Sequence, residues 1–130
     1  MAESTLSSAP QKGEMPTIDD EHLARMTLGD RSLEREVLQI FARQAALMLE
    51  RIAGAAPASA AAAAHTLKGS ARGIGAWRVA KAAERLEEVA RSHGERAAMA
   101  TAIAELEAAS LEACAAIGAR LHCSTGEAAA

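Results

Sequence analysis

Apolar residues recur along this chain every three or four positions, in blocks punctuated by glycine and proline. That interval places them on one side of a helix, so each block predicts an amphipathic helix. The longest early block spans 31–53, where Leu33, Val37, Ile40, Phe41, Met48 and Ile52 form the apolar face and Asp30 is positioned to cap the start. GAAP ends that block, and Pro57 suits the first turn of the next helix, over about 57–73. GIG breaks the pattern again. A helix over about 76–92 turns Ala80, Ala83, Leu86 and Ala90 inward. After SHGE, a last one over about 95–121 carries Met99, Ile103, Leu106, Ala113 and Ile117. A shorter helix over about 18–27 precedes the four, with Thr17 and Asp20 spaced as a capping box and LGD as its stop.

Long helices joined by short turns must lie antiparallel to their chain neighbours. The fold class is therefore all-α: an antiparallel up-down-up-down four-helix bundle with a short additional N-terminal helix. The domain spans 17–122, between a Ser-, Pro- and Gly-rich lead-in over 1–16 and a tail over 123–130, both expected to be flexible.

Composition agrees. Half of the 130 residues are hydrophobic, many of them alanine, and only 2% are aromatic, which disfavours strands. The net charge of −3 offers nucleic acid no cationic footprint. No apolar run reaches the length of about 18 residues that a membrane span needs. The N-terminus lacks the basic and apolar regions of a secretory signal. Cys114 and Cys123 give no disulfide framework, so a cytoplasmic location with reduced thiols is expected. Met1 and the short tails lead to the expectation of a stand-alone chain, taken as a monomer.

One stretch does not follow from packing. In AAAAHTLKGSARGIGAW, residues 61–77, a helical wheel puts Ala60, Ala63, Leu67, Ala71 and Ile74 on the core side. His65 points away from them, beside Ala61, Ala62, Lys68, Gly69 and Arg72. A glycine inside a helix costs about 0.5–1 kcal/mol relative to alanine. Gly69 lies on the outer face, where internal packing does not explain it. An exposed neutral imidazole is a potential nucleophile. A phosphoryl group on it would bring about 1.5–2 negative charges. Lys68 stands one turn on to offset them, and a glycine leaves room for a partner to approach.

Counting across the turn near Gly75 brings Glu87 to the height of His65 in an antiparallel hairpin. Glu87 is then placed to accept from Nδ1–H and leave Nε2 free to attack. By counting alone Glu88 is equally available, and either can be ordinary exposed acid.

HTLKGSARGIGAWRVAKAAERLE, residues 65–87, resembles the signature of the histidine-containing phosphotransfer (HPt) family. His65, Leu67, Lys68, Gly69, Ser70, Ala71, Ile74, Gly75 and Ala76 fill the motif positions, and Leu86 and Glu87 close it. The resemblance implies that His65 is the phosphoacceptor through Nε2, that Lys68 stabilises the phosphoryl group, and that Glu87 sits beside the histidine. Arg72, Trp77 and Arg78 fall at variable positions, so the resemblance gives them no role, and Trp77 is expected to pack. The partners implied are response-regulator receiver domains and a hybrid histidine kinase, with Mg²⁺ brought by the receiver and no cofactor bound by this chain. No Gly-rich phosphate loop points to ATP as a direct substrate.

Two other readings compete. A non-catalytic helical adaptor needs no His, Lys and Gly on one exposed face. A metal site from His22, His93, His122 and Cys123 has poor ligand spacing, so no metal is expected.

Overall fold

A computed structural model describes residues 16–129, with side chains described through His122. Residues 1–15, which make up all but the last residue of the lead-in, and residue 130 lie outside it. Five helices follow in order: α1 (Asp20–Met26), α2 (Arg31–Ala53), α3 (Pro57–Ile74), α4 (Trp77–Arg91) and α5 (Arg96–Ala129). The boundaries have identifiable causes. Asp30 caps α2, its carboxylate accepting from Leu33 N at 3.0 Å. Pro57 opens α3, where its missing N–H costs nothing. Gly75 ends α3 in the left-handed region at φ 80°.

The long helices close a ring: α2 packs on α3, α3 on α4, α4 on α5, and α5 back on α2. Ion pairs show the antiparallel sense. Arg78 meets Glu112 at 2.9 Å and Arg85 meets Glu105 at 3.3 Å, so α4 ascends as α5 descends. The all-α bundle with a short leading helix is therefore the observed architecture. Its core is narrow. Ala45, Ala60, Ala64, Ala71, Ala83 and Ala113 are buried and let the helices approach, while Phe41, Leu67, Leu86, Leu106 and Ile117 fill the space between. No helix among the described residues is long and apolar enough to cross a membrane.

The structure corrects several details. On α2 the buried stripe is Leu38, Phe41, Ala45, Met48 and Ile52, an unbroken three-and-four pattern. Leu33 and Ile40, expected inward, are 38% and 48% exposed because they belong to a neighbouring stripe with Leu47. Asp19, not Thr17, caps α1 by accepting from His22 N at 3.1 Å. The backbone of α5 runs through Ala129, beyond the end expected near residue 121.

The short α1 is anchored where α3 turns into α4. Asp19 N donates to Gly75 O at 2.9 Å, and Trp77 Nε1 donates to Asp19 Oδ2 at 2.9 Å. His22 Nε2 donates to the Arg72 carbonyl at 2.8 Å and packs its ring edge-on against Trp77, centroids 4.8 Å apart. The Trp77 hydrogen bond, with that from His22 N, holds the Asp19 carboxyl below its usual 3.8. Trp77 thus joins the lead helix to the bundle, in keeping with the packing role expected of it.

Candidate functional site

The site lies between the outer face of α3 and the middle of α4. His65 follows a run of small residues on α3, so nothing bulky covers the ring, whose side chain is 63% exposed. On α4 the chain presents Glu87, between the core residues Leu86 and Ala90. The Glu87 side chain is 3% exposed. His65 Nδ1 and Glu87 Oε2 stand 2.8 Å apart. With the carboxylate ionised, Nδ1 must donate, and the neutral ring then carries its lone pair on Nε2. Nε2 has no hydrogen bond to any described residue. Glu88, the competing acid, is exposed.

A buried carboxylate must be compensated, and two cations and the His65 ring N–H do so here. Lys68 Nζ is 2.8 Å from Oε1. The two form a close ion pair. Arg91 reaches Oε2 at 2.6 Å from one turn further along α4. The His65 N–H is the third partner. Burial pushes the Glu87 carboxyl up, but Lys68 and His65 at its oxygens, with the charges of Lys68 and Arg91, outweigh it and lower the pKa below the usual 4.5. The sequence placed Lys68 as a free cation on the surface. In the structure its side chain is only 14% exposed and its charge is engaged by Glu87.

The expected partner-facing residues divide. Ala62, Gly69 and Arg72 are exposed. A Cβ built on Gly69 meets no atom within 4 Å, so the glycine faces open space and fills no packing need. Ala62 and Thr66 border a groove shared with Met48 and Arg51 of α2. Among the described residues the Arg72 guanidinium makes only a long contact to Glu84, 3.9 Å. Ala61 is a correction: it is 6% exposed and presents no surface to a partner. The wheel counted one core side, but burial on α3 extends onto the flank from which Lys68 reaches Glu87 of α4. Ala61, Ala64 and Lys68 all lie on that flank, and the first two are buried there. Arg91 was missed, although its i, i+4 spacing to Glu87 was readable.

Among the described residues no three His, Cys, Asp or Glu side chains gather as a metal site. His22 instead bonds the Arg72 carbonyl. The side chain of Cys123 lies outside the described residues.

Comparison with known proteins gives the arrangement a family. The model of the Hpt domain matches residues 36–117. Histidine phosphotransferase ShpA from Caulobacter crescentus is 27% identical, with a TM-score of 0.71, covering 88% of this chain and all of that one. A rice protein assigned to the histidine-containing phosphotransfer class shares the fold at 18% identity, with a TM-score of 0.72, covering 93% of this chain and 86% of that one. No curated protein matches the chain significantly. The family model spans well over half the sequence, and the chain belongs to the Hpt domain family: it is a histidine phosphotransfer protein of a two-component phosphorelay.

Proposed function

We propose that His65 is the phosphoacceptor and that it passes the phosphoryl group between receiver-domain aspartates. The observation that carries this reading is the 2.8 Å contact between Nδ1 and the buried Glu87 carboxylate, with the rest of the ring in solvent. The Nε2 lone pair attacks the phosphorus of a partner's aspartyl phosphate. A P–N bond forms as the P–O bond to the aspartate breaks, and the bonding pair leaves on the aspartate carboxylate. Nδ1 keeps its proton, so the ring gains positive charge as the bond forms. Glu87 faces that charge, in the way an orienting carboxylate supports an imidazolium. The return step reverses each bond change, with a second receiver's aspartate as nucleophile.

Lys68 has a double part in this reading. It holds Glu87, and it stands one turn from the ring, close enough for its charge to favour the phosphoryl oxygens. Gly69 leaves the approach open, and Ala62 and Arg72 edge the contact surface. Mg²⁺ belongs to the receiver, whose aspartate pocket it serves, and this chain binds no cofactor of its own. The protein acts as a cytoplasmic monomer between a hybrid histidine kinase and a response regulator.

The test is the chemistry of the phosphate itself. After incubation with a phosphorylated receiver domain, label on this chain that is lost in acid and retained in base identifies a phosphoramidate. A chain that binds the receiver without taking label is an adaptor, the competing reading.

A further inference from the structure

The arginine at the end of α4 shares an oxygen with the histidine. Arg91 touches Glu87 Oε2 at 2.6 Å, and His65 Nδ1 touches the same atom at 2.8 Å. Lys68 takes the other oxygen. We propose that Arg91 is a positioning residue for phosphoryl transfer, holding the Glu87 carboxylate so that Oε2 stays on Nδ1 and Nε2 keeps its lone pair. The inference rests on His65 being the phosphoacceptor.

The terminal torsion of a glutamate is broad, so nothing in Glu87 itself decides which way its carboxylate faces. The two cations decide it. Lys68 draws Oε1 from α3, and Arg91 draws Oε2 from α4. Without Arg91, Lys68 is the only permanent cation on the group, and the carboxylate is free to turn toward it and away from the ring. Burial also favours the neutral acid, which would donate a proton where Nδ1 needs an acceptor. Either change lets the imidazole proton move to Nε2, the atom that must attack. Arg91 acts from outside the core. Its side chain is 65% exposed against 14% for Lys68, so it can be altered without opening the bundle. It lies in the last turn of α4, where a cation also suits the negative end of the helix.

The experiment reads the tautomer of His65 directly, in unphosphorylated full-length protein carrying ¹⁵N-histidine. In the wild type, the Nδ1 resonance is of the protonated kind and Nε2 of the unprotonated kind. In Arg91→Ala and Arg91→Gln the two resonances move toward each other as tautomers mix. Arg91→Lys restores the separation. Phosphoryl uptake from a receiver slows by roughly tenfold in the first two variants, the scale of a lost orienting contact, and recovers with lysine. Thermal midpoints stay near wild type throughout. Wild-type nitrogen shifts in Arg91→Ala and Arg91→Gln overturn the proposal, as does a shift that lysine fails to reverse. If the tautomer moves as stated while wild-type His65 accepts no phosphoryl group, Arg91 holds the ring as proposed, and the phosphoacceptor assignment is what fails.

Discussion

His65 on α3 and Glu87 on α4 meet at 2.8 Å, with the imidazole 63% exposed and the carboxylate 3% exposed. One partner faces water while the other is held inside the bundle. Burial keeps the Glu87 side chain in one place, Lys68 and Arg91 hold its two oxygens, and the oxygen on Nδ1 fixes which ring nitrogen bears the proton. Replacing Glu87 with alanine therefore slows phosphoryl uptake by roughly ten- to a hundredfold without abolishing it. It also leaves Lys68 without its partner and lowers stability by about 1–3 kcal/mol. Uptake at the wild-type rate would mean that the ring needs no orienting partner.

The same carboxylate gives a pH signature. Its pKa in the folded protein lies below the ordinary 4.5, so its stabilising contribution is complete above that value and is lost as pH falls through the folded pKa. Glu87→Gln lacks this contribution at every pH. Thermal melts from neutral pH downward should show the wild type losing midpoint relative to the variant, with the loss confined to the acid side of about pH 4.5. Parallel curves would show that the charge of Glu87 is not coupled to folding.

Two glycines on neighbouring turns should respond in opposite ways. A Cβ at Gly69 meets open space, so Gly69→Ala should stabilise the fold by about 0.5–1 kcal/mol. At Gly75 a Cβ would stand 2.9 Å from Asp19 Cβ and 3.0 Å from its carbonyl oxygen, at φ 80°. Gly75→Ala should lower stability by about 1–3 kcal/mol. Transfer should fall in Gly69→Ala, and further in Gly69→Gln, despite normal melting. A Gly69→Gln protein that transfers normally would remove the reason given for the glycine.

The surface beside His65 carries Arg72 and Arg91, both exposed. A receiver's aspartate pocket is acidic, so association should weaken as salt rises. In titrations of binding against ionic strength, Arg72→Ala should flatten the dependence. An unchanged slope would place Arg72 outside the contact.

The periodic spacing of apolar residues carried most of the fold, because α3 and α4 bury regular stripes such as Ala60, Leu67 and Ala71. It misled on α2, where two apolar stripes run side by side and Leu33 and Ile40 fall on the exposed one. The pairing of His65 with Glu87 was open to counting, since a short turn sets the register of an antiparallel hairpin. Three features were not. A wheel shows one helix alone, so it does not show that Ala61 is buried. It does not show that the charge of Lys68 turns inward to a buried acid. The contacts joining Asp19, His22, Arg72 and Trp77 link segments far apart in sequence, and no local pattern announces them.

Phosphoryl transfer from a labelled receiver domain to wild type and to His65→Gln, with the modified residue mapped in the wild type, tests the role of His65 most directly. His65 is exposed, so the variant should keep its helical content and melt within about 0.5 kcal/mol of wild type. Wild-type His65 should carry acid-labile label and the variant none. Label that persists on His65→Gln, at His22, His93 or any other residue, would contradict that role.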